Sequence, residues 1–105
     1  MTNAPRPLDG VRVVEFSHMV MGPTCGLVLA DLGADVVKVE PAPDGDKTRR
    51  LPGSGAGFFG TYNRNKRSIS VNLKSVEGLE FATNLVRASD VLLENFSAGV
   101  MDRLG

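Results

Sequence analysis

Val11-Arg12-Val13-Val14-Glu15-Phe16-Ser17-His18-Met19-Val20-Met21-Gly22-Pro23 opens as a strand and closes as the first turn of a helix. The β-branched valines and Phe16 suit a pleated, mostly buried strand. Gly22 permits a tight turn. Pro23 fits the first helical position, where its missing N–H has no partner to lose. A loop running into a helix N-terminus presents N–H groups and the positive end of the helix dipole, a setting that suits anions.

Outward from this stretch, residues 24–32 continue as a helix. Leu27, Val28, Leu29, Ala30 and Leu32 leave little of its circumference polar, so it is expected to be largely buried. Gly33 is placed to end it in a left-handed conformation. Residues 34–40 form a second strand with Val37 and Val39 on one face. Strand, helix, strand at this spacing is a right-handed parallel crossover. Residues 41–60 are rich in proline and glycine. A loop of about 20 residues is uncommon in a compact domain unless it is functional or disordered. The adjacent Phe58 and Phe59 argue that it packs on something.

Residues 63–67, Asn-Arg-Asn-Lys-Arg, are the densest basic stretch. The alternation in residues 68–73 predicts a strand with one covered face. Ser75 is the expected N-cap of the next helix, with Glu77 in its first turn. Leu79, Ala82, Leu85 and Val86 form that helix's apolar stripe. Residues 90–96 read as a last strand, and residues 97–105 as the start of another helix or turn. The order β-α-β-loop-β-α-β is α/β with a mainly parallel sheet and flanking helices, half of a doubly wound sheet. Ligands of such sheets sit beyond the carboxyl ends of the strands. Residues 17–22, the segment from Glu40 onward, and Asn95-Phe96 all land there. Half a sheet also leaves an open edge, so the isolated piece is expected to be marginally stable.

Composition narrows the function. Apolar residues make up 42% of the 105, enough for a core, and 12 basic residues balance 12 acidic ones. A neutral chain gives no general case for nucleic acid or an anionic membrane. The single Cys25 allows no internal disulfide, and no Cys/His cluster suggests a metal. No apolar run is long enough to span a bilayer, and residues 1–7 have no apolar signal core. These points lead to a cytoplasmic protein, with residues 1–7 a flexible tail and residues 8–105 the folded part.

His18 is the only histidine. A lone loop histidine is structural more often than catalytic. Glu40 stands where a dinucleotide fold places a ribose-binding acid, but that fold needs G-x-G-x-x-G at the first turn. Met19, Val20 and Met21 fill the positions where a pyrophosphate needs bare backbone. These flexible side chains suit an apolar or thioester-bearing ligand, or packing against more protein. Residues 63–67 suit either phosphate binding or a solvated approach to the strand. Arg103 has no structural role evident from pattern.

Taken in order, several blocks resemble the N-terminus of the class III CoA-transferases, the family of formyl-CoA transferase, carnitine CoA-transferase and α-methylacyl-CoA racemase. They are Pro7-Leu8-Asp9-Gly10 with the first strand, Gly22-Pro23, residues 29–40, Gly45-Asp46 with Thr48-Arg49, Asn65-Lys66-Arg67-Ser68, Leu73-Lys74, Glu77-Gly78, Glu94-Asn95-Phe96 and residues 101–105. The resemblance implies a Rossmann-like fold, with residues 8–105 the N-terminal part of a larger domain, and an interlocked homodimer. It implies acyl-CoA and a carboxylic acid acceptor as substrates, no tightly bound cofactor and no metal. It implies a catalytic aspartate that forms an acyl anhydride and then an enzyme-bound CoA thioester, in a segment beyond Gly105. No catalytic residue is therefore assigned here, and this segment alone is expected to be inactive.

By position, the resemblance puts His18, Met19 and Val20 beside the thioester and pantetheine. Val71, Asn72, Leu73 and Lys74 fall near the adenine and 3′-phosphate, and Asn95, Phe96 and Arg103 along the pantetheine and phosphate. Two departures stand out. Formyl-CoA-type members carry Gln at the position of Val20, which leaves oxalate or formate specificity open. Some members carry Arg where this chain has Pro41, so Lys74 or the Asn65-Lys66-Arg67 block would have to compensate. The alternatives are a racemase-type acyl-CoA enzyme and a non-catalytic CoA-binding fragment. A nicotinamide-binding module is disfavoured by the loop.

Overall fold

The computed structural model describes residues 4–105, so residues 1–3 of the expected tail lie outside the described residues. Four strands, β1 (Arg12–Phe16), β2 (Asp35–Pro41), β3 (Arg67–Val71) and β4 (Val91–Glu94), form one sheet in the order β3-β2-β1-β4. Every pairing is parallel, with Val13 opposite both Val36 and Val91 and Val71 opposite Pro41. The helices are α1 (Met21–Asp31), α2 (Phe58–Tyr62), α3 (Val76–Arg87) and α4 (Val100–Leu104). The mainly parallel α/β architecture expected from the residue pattern is the one observed.

Period-two alternation sorts the strand residues between two faces. Val14, Phe16, Val39 and Val71 pack with Ala82 of α3, and Leu73, Phe96 and Met101 join them. On the opposite face Val13 and Val36 pack with Ala30 of α1 and with Ala34. The same alternation puts Glu15, Lys38 and Glu40 on this second face, nearer the carboxyl ends of β1 and β2. That face is therefore apolar at one end and ionic at the other.

The boundaries differ from the sequence reading for identifiable reasons. α1 begins at Met21 rather than at Pro23, because the chain reverses earlier, at Met19 (φ 64°). Gly22 is required for close approach instead: a Cβ there would lie 2.7 Å from both Asn95 Cγ and Ser17 Cβ. β3 stops at Val71 because β2 ends at Pro41, its partner, and β4 stops at Glu94, opposite the last residue of β1. Gly33 does end α1 left-handed, at φ 109°. Ser75 caps α3 by accepting from Gly78 N–H at 3.0 Å.

One expectation is corrected. α1 is not largely buried: Met21 is 78% and Val28 51% exposed, since no described element covers its outer face. Residues 41–60 pack through Phe58 and Phe59, as expected. They hold 3-10 turns at Lys47–Arg50 and Gly53–Gly57 and then enter α2. The Arg49 guanidinium lies 3.9 Å from the Phe59 ring centroid, and Phe58 meets Tyr62 edge-on.

Candidate active site

The loop joining β1 to α1 stands at the carboxyl edge of the sheet. Three successive residues of it are gripped by side chains from three other places in the chain. Lys38 Nζ, on β2, donates to Ser17 O at 2.9 Å. Asn95, just after β4, accepts from His18 N–H and donates to His18 O, each at 3.1 Å. Thr48, in the turn after β2, accepts from Met19 N–H at 2.8 Å. The His18 ring stacks on Phe96 with centroids 5.9 Å apart. The side chains of His18, Met19 and Met21 remain exposed.

Beneath the loop lies a buried ionic network. Lys66 Nζ meets Glu15 Oε2 at 2.9 Å, and Lys38 Nζ lies 3.0 Å from Asp46 Oδ2 and 3.6 Å from Glu15 Oε2. Ser17 Oγ donates to Glu15 Oε2. Lys66 also donates to Pro23 O at 2.9 Å and Asn63 Oδ1 at 2.8 Å, tying α1 to the residues before β3. Two carboxylates and two ammonium groups thus balance in a space closed to solvent, where an unpaired charge is costly. Burial pushes the Lys66 pKa down, and Glu15 offsets part of that. Burial would raise Asp46, but the Thr48 N–H and hydroxyl and the Lys38 charge outweigh it and hold the carboxyl below its ordinary value.

Glu40 is fully committed. Its Oε1 accepts from Asp46 N–H and Arg49 Nε, each at 2.7 Å, and its Oε2 accepts from Arg49 Nη2 at 2.7 Å and from Ser68 Oγ. A carboxylate has about four lone-pair sites, so none is left for a ribose hydroxyl. Burial alone would raise the Glu40 pKa, yet these donors bring it from the ordinary 4.5 down to about 2. The folded value lies below the unfolded one. The stabilisation is therefore present above pH 4.5 and is lost as the pH falls from 4.5 towards 2. Solvent reaches the Arg49 side chain, which is 41% exposed, and this screening trims the contribution to about 2 kcal/mol. Glu40→Gln is expected to flatten the acid limb of an unfolding-free-energy profile over that interval. An unchanged acid limb would reject the assignment.

The basic stretch before β3, left open between phosphate binding and a solvated approach to the strand, is tied to acidic residues of this chain. Arg64 and Asn65 reach Asp31 at 3.0 and 2.8 Å, Lys66 is in the buried network, and Arg67 binds Asp35 through two contacts of 3.0 and 2.6 Å. Asp31, at the end of α1, and Asp35, at the start of β2, are those partners. The block thus contacts this chain's own acids, through exposed pairs at Arg64 and Arg67 and a buried one at Lys66.

Of the candidate residues, the structure brings His18, Met19, Asn95 and Phe96 together, with Val20 as the N-cap of α1. Val71, Asn72, Leu73 and Lys74 stand at the same carboxyl edge, but at the end of β3, with β2 between it and β1. Val71 is 6% exposed and its carbonyl accepts from Ala42 N–H, so its side chain belongs to the core. Leu73 packs on the same core, while Lys74 is exposed. Arg103, on α4, is exposed as well. Sequence reasoning missed Lys38, Asp46 and Thr48. For Lys38 the signal was charge at an inward position of a valine-rich strand, where a charged residue needs a buried partner; Asp46 and Thr48, in the turn after β2, carried no such pattern. No helix of the described residues is long and apolar enough to cross a membrane.

Residues 8–105 match the family described as CoA-transferase family III. Curated relatives include a formyl-CoA:oxalate CoA-transferase of Rhodopseudomonas palustris, 48% identical over 95% of this chain and 24% of its own length. One of the same name from a Bradyrhizobium strain is 45% identical over the same shares. The chain thus spans about a quarter of these relatives. Among solved structures, Rv3272 from Mycobacterium tuberculosis superposes with a TM-score of 0.91 at 41% identity, covering 98% of this chain and 29% of that one. A CAIB/BAIF family protein from Brucella suis gives 0.86 at 42% identity, over 96% and 29%.

Proposed function

The chain belongs to CoA-transferase family III, and from that membership we propose that the protein moves coenzyme A between carboxylic acids. The match across residues 8–105 carries this reading. The carboxyl-edge cluster of His18, Met19, Val20, Asn95 and Phe96 supports it, because it offers an apolar, polarisable wall suited to a thioester.

In this reading an aspartate outside these 105 residues attacks the acyl-CoA carbonyl. The carbon–sulfur bond breaks, CoA leaves as thiolate, and an acyl–aspartyl anhydride forms. The thiolate then attacks the aspartyl carbonyl, releasing the first acid and leaving an enzyme-bound CoA thioester. The acceptor carboxylate attacks that thioester, and the returning thiolate takes the new acyl group and regenerates the aspartate. Each difficult displacement is divided into easier ones. The loop flanks the thioester and pantetheine, and Asn95 contributes by holding the loop. Asn72, Leu73, Lys74 and Arg103 serve the nucleotide end, with Val71 limited to its backbone. CoA is a substrate rather than a bound cofactor. The reading carries with it an interlocked homodimer and a cytoplasmic setting.

The test uses the protein at its full expressed length, with formyl-CoA and oxalate as the first pair because relatives bear that name, and a bulkier acyl-CoA as the second. Hydroxylamine added during turnover is expected to leave a hydroxamate on one aspartate and to abolish activity. Absence of any adduct, together with exchange of the α-proton of the acyl group in deuterium oxide, would establish the racemase alternative instead.

A further inference from the structure

We infer that Thr48, which lies wholly beneath the surface of the site, is the positioning residue that sets the shape of the β1–α1 loop. The argument is one of donors and acceptors. Met19 N–H can only donate, and it donates to Thr48 Oγ1 at 2.8 Å. The Asp46 carboxylate is ionised and can only accept, and its Oδ1 takes the Thr48 hydroxyl at 2.7 Å and the Thr48 N–H at 2.9 Å. The Thr48 proton is therefore committed to Asp46, and its lone pair is committed to Met19. Asp46 is held in turn by Lys38, which also grips Ser17. Thr48 is 0% exposed, so water cannot replace it.

The residue it holds needs holding. Met19 sits at φ 64°, a left-handed conformation disfavoured for any residue bearing a Cβ. The other two grips act on Ser17 and His18, before the kink, and Val20 O is already taken by Thr24 N–H and its hydroxyl. Thr48 is thus the side chain that fixes the turn at Met19 itself. It couples the Gly45–Arg49 motif to the wall of the site without touching a ligand. Displacement of a reacting group by about 1 Å can cost about a hundredfold in rate.

The kinetic arm rests on the transferase reading, while a second arm does not. In the full-length wild-type protein, hydrogen exchange of the peptide covering Ser17 to Val20 is expected to be slow at the Met19 amide. In Thr48→Val, which keeps the shape and removes the hydroxyl, that amide is expected to exchange about tenfold faster, with Thr48→Ser restoring protection. On formyl-CoA and oxalate, Thr48→Val is expected to lower kcat about 30-fold and change the KM for the CoA thioester less than threefold, with Thr48→Ser near wild type. Fast exchange at Met19 in the wild type would overturn the inference without any variant. So would a Thr48→Val protein with unchanged kcat, one whose loss falls in KM, or one that Thr48→Ser does not rescue. A wild-type protein that transfers no CoA but protects Met19 through Thr48 would refute the transferase reading and leave the positioning role standing.

Discussion

Gly26→Ala is expected to destabilise the protein by about 3 kcal/mol, although alanine is the better helix former by about 1 kcal/mol. Gly26 sits inside α1 on the face pressed against the sheet. A Cβ there would fall 1.7 Å from Glu15 Oε1 and 2.8 Å from Glu15 Cδ. The carboxylate has nowhere to go. It is fully buried, and its other oxygen is held by Ser17 and by Lys66 at 2.9 Å. The methyl group must either push α1 off the sheet or break charge-assisted hydrogen bonds. The first costs about 1–3 kcal/mol and the second about 1.5–3. Denaturant midpoints of the full-length variants measure the effect. Glu15→Asp, one methylene shorter, is expected to be costly alone yet to be less than additive with Gly26→Ala, because it opens the space the methyl needs. A Gly26→Ala variant within about 0.5 kcal/mol of wild type would show that the helix can shift freely and that the close approach is incidental.

That contact also shows how far the sequence could be read. The parallel α/β order was legible because valine-rich runs, a capping serine and punctuating glycines act locally, each within one turn or one strand. Gly33 and Ser75 behave as their local chemistry dictates. The loop stood out as a candidate because a strand ending in a helix start is itself a local pattern. What could not be read was pairing across the fold. Asn63–Arg67 looks like a free basic patch until β3 is laid beside β2, which brings Arg67 to Asp35 and Lys66 to Glu15. Glu40 looks like a ribose ligand until Arg49 folds back over it. Pro23 looked like a helix start because the true reversal lies at Met19, a residue whose type gives no warning of a positive φ. Charges at inward strand positions announced that partners must exist, without naming them.

Lys38→Met is expected to be more damaging still, at about 3–5 kcal/mol, because it leaves an uncompensated charge in the interior. Methionine matches the lysine stem in length and lacks only the charged donor, so lost packing cannot explain the cost. Lys38 is 1% exposed, and its ammonium group serves Ser17 O at 2.9 Å, Ser17 Oγ at 3.1 Å and Asp46 Oδ2 at 3.0 Å. Glu15 keeps Lys66 as its counter-ion, whereas Asp46 has no second cation within salt-bridge distance among the described residues. The consequence is directional. Asp46 loses the charge that helps to hold its pKa down, so its protonation moves to higher pH and the acid unfolding limb moves with it. Lys38→Met combined with Asp46→Asn removes the stranded charge while keeping an oxygen for Thr48, and should recover about 1–3 kcal/mol of the loss. If the double variant is as unstable as the sum of the two singles, charge burial is not the cause, and the network serves only as packing. If it recovers stability but kcat stays low, the Lys38 grip on Ser17 shapes the loop in its own right, independently of the stability the ion pair confers.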